Sequence, residues 1–167
     1  MKWDDFSEFF KERRDFFSTL KNWQTIPLIP ATYIFLVSDP LEKVGKMETD
    51  IVYIGETVHL GSDPDNCRLW DYETGSGDDE IRRKAFMKRK QKEGYKTMFS
   101  WLPCLNKSIA MELEKALLNA FWSDHGENPP LNRTTPETRY KTWGISVDEA
   151  LKIMREMKRQ AKVGKDI

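Results

Sequence analysis

A chain of 167 residues can bury one sizeable core and hardly two. Lysine plus arginine and aspartate plus glutamate number 27 each, so net charge names no partner, although a neutral total can hide local asymmetry. Two cysteines, Cys67 and Cys104, without CxxC spacing exclude a disulfide framework and a zinc signature. The charged first turn of the chain does not read as a secretory leader, and no apolar run nears the roughly 20 residues that span a bilayer, so a soluble, cytoplasmic protein without membrane contact is expected.

Trp3, Phe6, Phe10, Phe17 and Leu20 recur at three- and four-residue steps and predict an amphipathic first helix. Pro27 and Pro30 break it. Ala31 to Val37 and Ile51 to Gly55 are β-rich and separated by a polar, Gly- and Pro-bearing connection, which reads as a hairpin with a long loop. A turn-rich stretch from Gly61 to Asn66 leads into a short helix around Arg68 to Glu73. Asp78 and Asp79 are placed to cap a strongly basic helix that ends at Gly94. Tyr95 to Leu102 is β-prone and stopped by Pro103. Ser108 opens a helix to about Asp124, with Gly126 as terminator, and Pro129, Pro130 and Asn132 form a rigid loop. Ser146 and Glu149 make a capping box for a last helix bearing Val147, Ala150, Leu151, Met154 and Met157. The order predicts an α+β fold with a small, mostly antiparallel sheet of about three strands flanked by helices. Residues 1–29 read as a helical extension, 30–133 as the central domain, and 134–167 as a loop and helix packed on it.

Several residue placements bear on chemistry. Strand parity puts Tyr33 and Tyr53 on one face if the hairpin pairs in matching register, and Gly55 leaves room for another group to approach the backbone. On the helix from Ser108, Ile109, Ala110, Leu113, Ala116, Leu117, Ala120 and Phe121 form one apolar arc, and Glu114 falls inside its edge. A carboxylate turned toward a core is costly unless paired or metal-bound. Arg68 and Tyr72, four apart, share a helix face. Eight basic residues (Arg82, Arg83, Lys84, Lys88, Arg89, Lys90, Lys92 and Lys96) face one acid, Glu93, and read as a phosphate-tracking ridge or a solvated helix face. Arg133, Arg139, Tyr140, Lys141 and Trp143 form a second basic-aromatic cluster. His59 and His125 lack ligand spacing and read as surface or loop residues.

Ala31-Thr32-Tyr33-Ile34-Phe35 followed by Val52-Tyr53-Ile54-Gly55 resembles the paired motifs that name the GIY-YIG nucleases. Arg68-Leu69-Trp70-Asp71-Tyr72 resembles that family's Arg-bearing helix, Leu113 to Leu118 its acidic helix, and Pro129-Pro130-Leu131-Asn132 its closing Pro-x-x-Asn element. Ala31 and Thr32 replace Gly and Ile of the first motif, and the connections between motifs are longer than usual. The resemblance implies a phosphodiester hydrolase acting on DNA, with RNA left open, as monomer or homodimer. It implies that Glu114 holds one Mg²⁺ (or Mn²⁺), that Arg68 offers forked donors to the phosphate, with Arg82 or Arg83 as the alternatives for that role, and that Asn132 braces the site. Tyr33 is expected as general base, its pKa drawn down from about 10 by a nearby cation. Tyr53 would orient the water and Tyr72 assist in proton traffic. A degenerate, non-catalytic nucleic-acid-binding module on the same scaffold is the alternative.

Overall fold

All seven residues of the strand Ala31–Val37 are buried, so it has no solvent face and must be a central strand covered on both sides. In the computed structural model, which describes residues 15–38, 42–44, 47–63, 66–133 and 144–163, this strand is β1. A small hairpin, β2 (Glu42–Val44) and β3 (Met47–Thr49), sits in the connection to β4 (Ile51–Thr57). The sheet has the order β4-β1-β5, with β5 at Thr97–Pro103, and both pairings are antiparallel. Tyr33 faces Gly55 across the ladder, and Phe35 faces Tyr53. An irregularity between Phe35 and Leu36 then leaves Val52 as the extra residue of a bulge.

Each sheet face carries its own core. Ile34, Leu36, Ile54, Met98 and Leu102 pack with Leu113, Ala116, Leu117, Ala120 and Phe121 of helix α4 (Lys107–His125), and α5 (Val147–Val163) adds Ala150, Met154 and Met157. The opposite face is aromatic: Tyr33, Phe35, Tyr53, Phe99 and Trp101 meet Phe16 and Leu20 of α1 (Phe16–Lys21), Leu69 and Tyr72 of α2 (Arg68–Thr74), and Met87 of α3 (Asp78–Lys92). The fold is therefore α+β, an open three-stranded antiparallel sheet with five α-helices among the described residues, as the periodicities predict. No helix among them is long and apolar enough to cross a membrane.

Local signals explain most boundaries. Asn106 caps α4 by accepting from Ile109 N at 3.0 Å, and Gly126 ends it with φ +77°. Ser146 and Glu149 exchange capping-box bonds at 3.1 Å. Two expectations are corrected. The first helix does not run unbroken through Phe17, because Asp15 has extended backbone and accepts from Ser18 N at 2.8 Å as the N-cap of α1; Trp3, Phe6 and Phe10 lie outside the described residues. Asp78 and Asp79 do not cap α3 either. Gly77 occupies that place, and the two carboxylates sit in the first turn with Glu80, where they oppose the positive end of the helix dipole.

Candidate active site

Gly55 is the floor of the site. A Cβ built there would lie 2.7 Å from Tyr53 Cε1, 2.8 Å from Tyr33 Cζ and 2.9 Å from Tyr33 Oη, so only glycine lets both rings close over β4. The rings share a sheet face, with centroids 6.0 Å apart. Helix α2 supplies the third phenol. Its start is tied to the preceding turn by Arg68 N donating to His59 O at 2.8 Å and Leu69 N to Leu60 O at 3.1 Å. One turn on, Tyr72 Oη lies 3.2 Å from Tyr33 Oη. Arg68, at the first position of α2, donates from Nη1 to Glu80 Oε1 at 2.9 Å and has Asp71 at 3.9 Å. From α3, Arg83 lays its guanidinium 4.1 Å from the Tyr53 ring centroid and donates to Tyr72 Oη at 3.4 Å.

Glu114 is delivered differently. Helix α4 covers the face opposite the tyrosines, and Glu114 is half-buried on it next to Leu113. Burial first, and then the charge of Glu56, push its carboxyl up to about 7, while Lys115, Arg83 and Arg68 act the other way. Glu56 follows Gly55 on β4 and pairs with Thr32, whose hydroxyl donates to Ala110 O of α4 at 2.9 Å. Strand parity thus turns Glu56 toward α4. Glu114 and the phenols belong to opposite faces of the sheet, yet the charge of Glu114 acts to raise Tyr53, and those of Arg83 and Arg68 act to lower Glu114.

The same edge is sealed by the closing loop. Ile54 N donates to Asn132 Oδ1 at 3.0 Å, Asn132 Nδ2 donates to Ile54 O at 2.8 Å, and Leu131 N donates to Val52 O at 2.9 Å. Asn132 thereby serves β4 as a substitute neighbour strand.

The expected ionisation of Tyr33 is overturned. Tyr33 is 1% exposed and Tyr72 0%. Desolvation, reinforced by the neighbouring phenols Tyr72 and Tyr53, holds Tyr33 well above 10, and Arg68 offsets this only in part. Tyr53 is raised in the same way, burial first, with Arg83 opposing. The basic ridge is also smaller than expected. Lys88, Arg89, Lys92 and Lys96 are exposed, but Lys90 is buried, its ammonium 3.1 Å from Glu93 and over Phe86 and Tyr95. Lys84 donates to Glu73 O at 2.6 Å and Arg82 to Leu131 O at 3.1 Å, so both hold the fold. His125 is not a surface residue; it closes α4 stacked on Phe121 at 3.9 Å. Arg133 reaches Asp79 at 3.4 Å, while Arg139, Tyr140, Lys141 and Trp143 lie outside the described residues. Cys67 and Cys104 are free and buried.

Sequence reasoning missed Glu56 and held Arg83 only as a member of the basic ridge or an alternative to Arg68, whereas the structure sets it beside Arg68's phenols. For Glu56 the signal was parity, two residues past Ile54 on the α4 side of the strand. For Arg83 it was the spacing to buried Met87, one turn along α3. No trio of histidine, cysteine, aspartate or glutamate with metal-ligand geometry exists among the described residues. The carboxyls open to a cation are Glu114, whose ionisation feels the charge of Glu56, and Glu56 itself, whose Oε2 is buried with no hydrogen-bond partner. Compared with family models, known proteins and solved structures, the chain matches nothing.

Proposed function

We propose that this chain is a divalent-metal-dependent endonuclease that hydrolyses phosphodiester bonds in DNA at a GIY-YIG-type site. The observation that carries the reading is the gathering of Tyr33 and Tyr53 over Gly55 with Tyr72 and Arg83 in contact with them, in the electrostatic field of Arg68 and Glu114. These residues come from separate elements, and no shared packing demand requires two guanidinium groups beside three phenols. Cations and proton-bearing oxygens in one partly dehydrated place suit a substrate that is an anion and reacts with water.

A hard ion such as Mg²⁺ or Mn²⁺, held by Glu114 with Glu56 beside it, supplies charge to the phosphate and to the leaving 3′-oxygen. Arg68 offers a planar fork to the non-bridging oxygens, exchanging Glu80 for the phosphate. Tyr53 orients the attacking water, and the Tyr33–Tyr72 hydroxyl pair carries protons behind it. Exposed Lys88, Arg89, Lys92 and Lys96 guide the flanking backbone, giving sequence-tolerant, salt-sensitive binding. The same contacts accept RNA, and the chain acts as a monomer or homodimer.

One observation favours a non-catalytic binding module instead: Tyr33 and Tyr72 are sealed from solvent. A plasmid-nicking assay in Mg²⁺ and in Mn²⁺, run beside a DNA-binding titration, separates the two. Nicking by the wild type, lost in Glu114→Ala with binding retained, supports the nuclease. Binding without nicking in either ion gives the module, and absence of both removes the nucleic-acid reading.

A further inference from the structure

Two cations of α3 turn inward. Lys90 is held by Glu93 at 3.1 Å, whereas Arg83, 12% exposed against 63% for Arg89 on the outer face, lies among the phenols. Arg83 lies one turn before buried Met87, which directs it inward over the Tyr53 ring and onto Tyr72 Oη. Tyr72 Oη in turn contacts Tyr33 Oη, so the guanidinium heads a chain of hydroxyls.

Its own hydrogen bonding is unfinished. A guanidinium carries five N–H donors in a fixed plane. Here Nε is buried without a hydrogen-bond partner, the bond to Tyr72 is long at 3.4 Å, and the ion pair with Asp79 is 3.9 Å, to a carboxylate 42% exposed. Arg68 shares the unpartnered buried Nε, but it has a carboxylate, Glu80, at 2.9 Å. Burying a cation without a carboxylate at bonding distance is costly, and the cost is recovered when an anion with several acceptor oxygens arrives. The charge of Arg83 also acts to lower the Glu114 carboxyl, after Lys115 and ahead of Arg68.

We infer that Arg83 is a second catalytic guanidinium, which binds non-bridging oxygens of the scissile phosphate together with Arg68. The inference rests on the phosphodiester-hydrolase reading above. In that reaction a water oxygen bonds to phosphorus, the bond from phosphorus to the 3′-oxygen breaks, and the water's protons pass to the leaving 3′-oxygen and to solvent. Nothing is oxidised or reduced. The pentacovalent transition state gathers negative charge on its non-bridging oxygens, and with one divalent ion at hand a second fixed cation stabilises that charge where it forms. Arg83 is therefore a group of the reacting centre, separate in role from the exposed lysines that follow it along α3.

The test is single-turnover nicking by the full chain in Mg²⁺, comparing the wild type with Arg83→Lys, Arg83→Ala and Arg159→Ala, the last an exposed arginine of α5. Thermal unfolding is recorded for each. Arg83→Lys, which keeps charge and stem but loses the fork, is expected to slow cleavage about 10²-fold or more without a large change in unfolding temperature. Added guanidinium ion is expected to restore part of the activity of Arg83→Ala, a response that an arginine serving only to pack Tyr53 would not give. Arg159→Ala should cut at the wild-type rate. A lysine variant within about threefold of wild type overturns the proposal, as does a folded alanine variant that guanidinium leaves inactive. If Arg83→Ala fails to fold, the lysine variant decides alone. A wild type that cuts in neither Mg²⁺ nor Mn²⁺ removes the nuclease reading and this proposal with it, a result distinct from wild type and Arg83 variants cutting alike.

Discussion

Replacing Glu114 by glutamine should make the metal-free protein more stable at neutral pH. The carboxyl rises from an ordinary 4.5 to about 7 on folding, chiefly through burial and then through the charge of Glu56. Each pH unit corresponds to about 1.4 kcal/mol, so ionised Glu114 costs the fold about 2–3 kcal/mol once screening of its half-exposed side chain is allowed for. The sign follows from proton uptake. Between pH 4.5 and about 7 the folded protein holds a proton that the unfolded chain has released, so stability falls as pH rises through that window. Glutamine cannot ionise, and this component of the pH dependence vanishes with it. Urea unfolding of both proteins in EDTA should coincide near pH 4.5 and diverge to about 2–3 kcal/mol in favour of Glu114→Gln by pH 8, about 5–10 °C in unfolding temperature. Adding Mg²⁺ or Mn²⁺ at pH 8 should then raise the wild type and leave the variant where it was, because a ligand that binds only the folded state stabilises it by mass action. Equal pH profiles in EDTA, or a variant less stable at pH 8, would refute the account of Glu114 as a carboxyl held at a cost for an incoming cation.

Three further outcomes are expected. Gly55→Ala should lower stability by about 1–3 kcal/mol and abolish nicking, since the new methyl meets two aromatic rings at 2.7–2.9 Å; thermal unfolding and the plasmid assay read both effects. Asn132→Ala should cost about 1–3 kcal/mol by stripping Ile54 of both side-chain bonds at the edge of β4, and hydrogen exchange at the Ile54 amide should quicken more than at Ile34 in the sheet centre. Lys88→Glu with Lys92→Glu should weaken DNA binding and flatten its dependence on salt, with stability within about 0.5 kcal/mol of wild type. Lys90→Ala should do the reverse, because that side chain is buried between Phe86 and Tyr95.

What was legible in the sequence was whatever backbone period and caps control. The three strands of the sheet and helices α2 to α5 all announce themselves through apolar spacing, a capping box or a terminating glycine. The short hairpin β2–β3 did not, since its residues read as a polar connection. At the site, parity put Tyr33 and Tyr53 on one face only given the right register, and the pairing of Tyr33 with Gly55 supplies it. Burial depth did not follow. A tyrosine on a strand is equally compatible with a solvated and a sealed hydroxyl, and the helices that seal Tyr33 and Tyr72 come from elsewhere in the chain. Helix α3 was hardest to read, because on its inward face Arg83 and Lys90 take places that a hydrophobic count assigns to solvent. Long basic side chains bury their stems and hide the face they occupy.

The sealed phenols change which hydroxyl stands nearest the chemistry. Tyr33 is sealed with Tyr72, its hydroxyl partner, and burial holds Tyr33 protonated at neutral pH. Tyr53 is also raised, but it alone has a guanidinium stacked on its ring, and the field of Glu114 registers on it. In the nuclease reading, a phosphate bound by Arg68 and Arg83 would therefore meet the Tyr53 side of the cluster first. Its negative charge would work against phenolate formation, so no phenol in this arrangement is suited to act as a free anionic base. The hydroxyls fit a different task. As neutral donors and acceptors in series, they can align a water and pass a proton without any one of them ionising fully. In the nuclease reading Glu114 must give up its proton to take the cation, so the acid limb of a cleavage profile would belong to Glu114, and the tyrosines would govern its height.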